Sequence, residues 1–135
     1  MSFSADIANF ADKAKLSHDQ AVVAVCSKLT SLVIAKTPVD SGRARGNYYA
    51  SIDNFSTEQS ETRTESQALT DGLNTAKQAS GKLFTLSNNL PYITKLEYGL
   101  YKGSSSKTIS GFSTQAPAGM ARLSIAEITN SLKRG

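Results

Sequence analysis

Apolar residues recur at helical spacing along the first part of the chain: Ile7, Phe10, Ala11 and Ala14, then Ala21, Val22, Val25, Leu29, Leu32 and Val33. No other segment constrains the fold as strongly. Ser4 suits an N-cap, and Asp6 suits the positive pole of the first turn. Lys36 suits the last turn, and Thr37-Pro38 closes the run, because proline disfavours helical geometry in the residue before it. The pattern therefore predicts one long helix from Ser4 to Lys36. Its phase shifts at Leu16-Ser17-His18-Asp19, where a kink or a break into two helices would fall. Unbroken, the helix would run about 48 Å at 1.5 Å per residue. That exceeds the width of a compact domain of this size, so it would project or lie across a neighbour.

The rest of the chain has to complete a core around this helix. With 135 residues, 39% hydrophobic and 19% charged, the material suffices for one modest core and a single domain over residues 1–135, not for a large enzyme with a deep pocket. One Cys excludes an internal disulfide. One Cys and one His nearly exclude a structural zinc site, which needs about four such ligands. No cofactor or metal is therefore expected. No apolar run approaches the roughly 20 residues of a membrane span. The segment Met1-Ser2-Phe3-Ser4-Ala5-Asp6 has neither a basic n-region nor an apolar h-region, so no secretion signal is expected. A reducing cytoplasm, or a particle assembled in one, is the expected setting.

Four further elements follow from local pattern. Thr37 to Gly46 is rich in turn residues and reads as a loop. Asn47 to Phe55 alternates and reads as a half-buried strand. Residues 56–64 are polar and read as a loop. Glu65 to Ala79 places Ala68, Leu69, Leu73 or Gly72, and Ala76 on one face, a helix weakened by Gly72. Lys82 to Asn88 is a second strand, followed by a turn at Asn89-Leu90-Pro91-Tyr92. Ile93 to Tyr98 is ambiguous between helix and strand. Residues 99–116 lack a period, apart from a candidate hairpin around Lys107 to Phe112, and loops of that length are commonly functional or disordered. A last helix runs from Pro117-Ala118 to about Lys133, with Met120, Leu123, Ile125 or Ala126, Ile128 and Leu132 as its stripe. The predicted class is α+β: a long N-terminal helix, a small antiparallel sheet and two further helices.

The net charge of +4 is unevenly spread. Residues 56–81 carry Glu58, Glu61, Glu65 and Asp71 against Arg63 and Lys77. Residues 82–135 carry Lys82, Lys95, Lys102, Lys107, Arg122, Lys133 and Arg134 against Glu97 and Glu127. An acidic middle and a basic end could serve nucleic acid, or head-to-tail packing of copies.

No catalytic constellation emerges. His18 and Asp19 are adjacent on a helix and do not face each other. Cys26 lies beside the apolar stripe and reads as a small hydrophobe. Glu97 sits between Leu96 and Tyr98, where burial would raise its pKa; a structural ion pair is the simpler reading. Ser41-Gly42-Arg43-Ala44-Arg45-Gly46 is not a phosphate-binding loop of the nucleotide-binding type, because the Lys-Ser/Thr ending is missing. Its two arginines could hold a phosphate or a carboxylate bidentately; nucleic acid, a carboxylate of a neighbouring subunit and plain solvation of the loop are the three readings open to them.

Three blocks, taken in order, resemble a known family. The first is Thr37-Pro38-Val39-Asp40-Ser41-Gly42-Arg43-Ala44-Arg45-Gly46-Asn47-Tyr48. The second is Leu86-Ser87-Asn88-Asn89-Leu90-Pro91-Tyr92-Ile93 with Leu96-Glu97-Tyr98-Gly99. The third is Gln115-Ala116-Pro117-Ala118-Gly119-Met120-Ala121-Arg122. The order is similar to that of the tail-completion and head–tail joining family of tailed bacteriophages, typified by HK97 gene product 10. Ser41 stands where the family commonly has Thr, and Tyr48 or Tyr49 where it commonly has Trp. The resemblance implies a virion structural protein and no enzyme. It implies a ring of copies, a hexamer by family analogy, between the capsid connector and the tail-terminator or tail-tube proteins, close to DNA in the channel. It implies a place in the virion neck or tail, reached from the host cytoplasm. On this reading Pro38, Asp40, Gly42, Arg43 and Arg45 anchor the loop after the long helix. Tyr92, Glu97, Tyr98 and Gly99 fix the turn after the second strand. Pro117, Gly119, Met120 and Arg122 start the last helix. The alternative is a small nucleic-acid-binding protein using its basic C-terminal part.

Overall fold

The computed structural model describes residues 3–38, 43–98, 108–109, 112–113 and 119–134. The fold is α+β. In chain order it comprises α1 (Phe3–Ala14), α2 (His18–Lys36), α3 (Arg43–Gly46), β1 (Tyr48–Ile52), α4 (Glu65–Ala76), β2 (Phe84–Asn88), α5 (Ile93–Tyr98), β3 (Thr108–Ile109), β4 (Phe112–Ser113) and α6 (Ala121–Arg134).

The long helix predicted over Ser4–Lys36 is two helices, and the break has two local causes. The first is a C-cap. The Leu16 N–H donates to Ala11 O and the Lys15 N–H to Asp12 O, with Lys15 in the left-handed region at φ 57°. That is the paired bonding of a Schellman motif, with lysine where glycine is usual. The second is an N-cap. The Ser17 hydroxyl accepts from the Gln20 N–H at 3.1 Å, and Gln20 Oε1 accepts from the Ser17 N–H at 3.0 Å. This capping box starts α2 afresh. The chain therefore folds back, and α1 packs on α2 instead of extending it.

The helix α2 serves two cores from opposite faces. Ala21 and Val25 pack with Ile7 and Ala11 of α1 and Ile128 and Leu132 of α6, with Leu32 alongside. On the other face, Val33 and Ile34 pack with Tyr48, Ala68, Leu96 and Met120. Leu29 touches both clusters. The helix α4, started by its own capping box at Thr64 and Gln67, crosses this second face. Gly72 is buried at that crossing: a Cβ there would lie 2.6 Å from Thr30 Cγ2. The sequence reading took Gly72 as a weakness in the helix. At this position α4 approaches Thr30 of α2 too closely for a side chain, and the missing side chain is what permits the approach.

β1 and β2 pair antiparallel, from Tyr48 opposite Asn88 to Ile52 opposite Phe84. α4 lies against β1. The polar segment 56–64 is pinned to this sheet: Asn47 is fully buried, donating to Arg43 O and Ser60 O and accepting from the Ser60 N–H. Asn89 Nδ2 donates to Ser56 O and Glu58 O. Ile93 to Tyr98, ambiguous in sequence, is the helix α5. The expected hairpin exists as Thr108 opposite Ser113 and Ile109 opposite Phe112; the rest of the 99–116 loop lies outside the described residues. No helix among the described residues is long and apolar enough to cross a membrane.

Candidate functional site

The three sequence blocks converge on one region. The first and second meet where Asn88 Nδ2 donates to Ala44 O at 2.9 Å, while Asn88 Oδ1 accepts from the Leu90 N–H at 3.2 Å. The second and third meet at Glu97. All three place a side chain in the same core, through Tyr48, Leu96 and Met120.

Arg45 ties the first block to the ends of two helices. Its Nε donates to Thr37 O at 2.7 Å, its Nη2 to Ala35 O at 2.8 Å and its Nη1 to Glu65 Oε1 at 3.0 Å. A cation placed on the last carbonyls of α2 satisfies acceptors that the helix leaves open and opposes the negative pole of its dipole. The same guanidinium holds the first turn of α4 through Glu65. The carboxylate that Arg45 meets belongs to its own chain and not to another subunit. Arg43 opens α3 and is half-buried, with its carbonyl accepting from Asn47. Pro38 is buried just past α2. Gly46 is buried, and a Cβ there would fall 1.9 Å from Arg63 O.

Glu97 holds the second junction. Oε1 accepts from the Met120 N–H at 3.2 Å and the Ala121 N–H at 2.7 Å; Oε2 accepts from the Arg122 N–H at 3.3 Å and from Arg122 Nε at 3.0 Å. Arg122 also donates to the Glu97 carbonyl. The carboxylate thus caps the start of α6 from another part of the chain, where the helix N–H groups lack internal partners. Burial alone would raise its pKa, as the sequence reading expected. The bonds from Ala121, the Arg122 side chain, Met120 and the Arg122 backbone outweigh it, and the net shift is downward. Gly119, at φ +84°, makes room: a Cβ would lie 2.5 Å from Glu97 O and 2.6 Å from Glu97 Oε2. Glu97 does not fix the turn after β2, which Asn88 and Asn89 hold instead.

Tyr92 is half-buried and packs against the core that contains Met120. Tyr98 is 56% exposed, with the Arg122 guanidinium 4.7 Å from its ring centroid. Asp40, Gly42, Gly99 and Pro117 lie outside the described residues.

A buried pair of hydroxyls lies at the end of α2. Thr37 Oγ1 donates to Val33 O at 2.7 Å and lies 2.8 Å from Tyr48 Oη. A hydroxyl has one hydrogen, so Tyr48 is the donor in the shared bond. Burial pushes the Tyr48 phenol up to about 12; the Thr37 bond works against this and the Glu97 charge adds to it.

Comparison with family models, curated proteins and solved structures gives no match.

Two residues escaped the sequence reading. Arg63 entered only as a charge in an acidic segment. It donates to Gly46 O, Tyr48 O and Asp71 Oδ2, and its guanidinium stacks 4.0 Å from the Tyr49 ring centroid. Asn47 has no assigned role in sequence beyond opening a strand inside the first motif block. Its side chain, with both ends bonded, had no local signal beyond the turn residues around it. His18 is exposed at the start of α2, and Cys26 is half-buried, its thiol pushed up by burial. Among the described residues, no group of His, Cys, Asp and Glu could hold a metal ion.

Proposed function

We propose that the chain is a structural subunit of a tailed-bacteriophage virion. It forms a ring at the neck or upper end of the tail, a hexamer by family analogy, and joins the capsid connector to the tail tube through non-covalent contacts. The observation that carries this reading is the order of the three motif blocks, together with their meeting at Asn88 and Glu97. Blocks so distant in sequence that interlock in space behave as one unit under a common constraint. Here that constraint is a scaffold: Arg45, Glu97 and Arg122 bond to helix ends and to charged partners of the same chain.

The nucleic-acid reading is weaker on the same observations. Arg45, Arg63 and Arg122 are engaged by carboxylates and carbonyls of the chain itself, which thins the basic surface that phosphates would need.

Native mass spectrometry of the full chain, alone and with neck and tail-tube proteins, tests the proposal. A closed ring or a specific complex is expected. A strict monomer that ignores both partners, yet binds duplex DNA with a steep salt dependence, would establish the alternative. In a phage, deletion of the gene should leave separate heads and tails.

A further inference from the structure

Two apolar features lie on opposite sides of α2. On the side of α1 and α6 is an open groove of about 520 Å³, lined by Phe10, Val25, Leu32, Ile128 and Leu132, with Lys28 on its wall. On the side of α4 and the sheet is an apolar tip. The Asp53 N–H donates to Leu83 O and Asp53 Oδ1 accepts from the Leu83 N–H, closing the end of the β1–β2 ladder. Beyond this clasp Phe55 is 74% exposed and Leu83 59% exposed. Single exposed hydrophobic residues are ordinary, but here two large ones are exposed at the same strand end.

We propose that copies of this chain join by inserting the Phe55–Leu83 tip of one into the α1–α2–α6 groove of the next. This rests on the ring reading above and names the contact that would build the ring. A groove of this volume falls within the roughly 300–1,000 Å³ of sites that enclose a compact apolar group, and an aromatic ring with a leucine beside it is such a group. Charge agrees. Glu127 at the groove is paired with Lys36 at 2.6 Å, and the exposed Lys28 adds a further positive charge to its wall. The exposed carboxylates Asp53 and Glu58 flank Phe55 in sequence, outweighing Lys82 next to Leu83. Because tip and groove are different surfaces, the contact is heterologous, and repeated contacts of that kind close into a ring when the rotation permits.

The test uses the full chain in a Cys26→Ala background. Phe55→Cys copies are mixed with Ala24→Cys copies, Ala24 being an exposed residue at the groove. A disulfide-linked pair should form in the mixture and not in either species alone. Separately, Phe55→Ser and Ala24→Trp should each weaken self-association in sedimentation by about tenfold or more, as loss of a central aromatic anchor does. Both positions are exposed, and circular dichroism should show an unchanged fold. If Phe55→Ser fails to fold, Ala24→Trp and the cross-link still decide. An oligomer that survives both substitutions, with no cross-link in the mixture, overturns the tip-in-groove contact and leaves the ring reading standing. A chain that stays monomeric at every concentration, with or without neck and tail-tube proteins, overturns both.

Discussion

Gly72 of α4 faces Thr30 of α2 so closely that a single added carbon would fall 2.6 Å from the threonine methyl. Thr30 cannot yield easily, because it is fully buried and its hydroxyl donates to Cys26 O at 2.9 Å. Gly72→Ala should therefore destabilise the protein, although alanine is the better helix former by about 1 kcal/mol. Overpacking of this kind costs about 1–3 kcal/mol. Thr30→Ser removes the methyl and should recover much of the loss in the double variant. Urea denaturation of the four proteins measures the coupling; strictly additive effects would show that the two residues do not meet as described.

Glu97 should make stability acid-sensitive. Its folded pKa is depressed, so its contribution is fully present above the ordinary value near 4.5 and is lost as pH falls through the lower folded value. Glu97→Gln should cost about 1–3 kcal/mol at neutral pH, because the amide cannot accept from all the donors gathered there. The gap between wild type and variant should narrow below the carboxylate range. A gap that stays constant down to strongly acidic pH would contradict the capping role.

Arg45 should not be replaceable by lysine. Its fork reaches two carbonyls of α2 and a carboxylate of α4 at once, and an ammonium cannot match that geometry. Both Arg45→Lys and Arg45→Ala should lower the melting temperature, with charged hydrogen bonds of about 1.5–3 kcal/mol at stake. A lysine variant as stable as wild type in calorimetry would show that charge alone suffices.

Tyr48 should titrate late. The sequence contains five tyrosines, and an ultraviolet titration should resolve a phenol near 12 that disappears in Tyr48→Phe. Its folded pKa is raised, so the stability it confers is full below the ordinary value of 10.0 and is lost as pH rises through about 12. If the late phase persists in the variant, another residue carries it.

Lys15 sits in the left-handed region at φ 57°, where a side chain costs about 1–2 kcal/mol and glycine little. Lys15→Gly should raise stability by roughly 0.5–1 kcal/mol, the gain being partly offset by the greater freedom glycine adds to the unfolded chain. A lower melting temperature would mean that the lysine side chain contributes more than its strain costs.

Much of the fold was legible because its elements are local. The apolar stripe gave α2, the alternation gave β1, and Ser80-Gly81 marked the gap before β2. The broken N-terminal helix was legible too, in Ser17-His18-Asp19-Gln20, which is a capping signature; the shift in phase was noted, but the pairing of Ser17 with Gln20 decides the break. Gly72 read as a flaw because helix propensity knows nothing of a neighbouring helix. The junction residues were found through the motif blocks, yet their roles were not. Whether Arg45 binds a phosphate, a partner or Thr37 O depends on where α2 ends relative to α4, and Glu97 on how α5 lies against α6. Arg63 and Asn47 act wholly through such long-range placement, and nothing at neighbouring positions announces it.

The packing of α1 against α6 bears on the order in which the molecule assembles. Ile7 and Ala11 reach their partners only when Ile128 and Leu132 exist, so this cluster depends on contacts of the greatest sequence separation in the fold. Such contacts are slow to form, because a long loop must close first. During synthesis α1 and α2 emerge early and wait as an unfinished hairpin with one apolar side bare. That side carries Phe10, Val25 and Leu32, but the groove itself is complete only once Ile128 and Leu132 of α6 close it. Because α6 follows α1 and α2 in the chain, a neighbour's tip of the kind proposed would find its groove only on a subunit that has already closed.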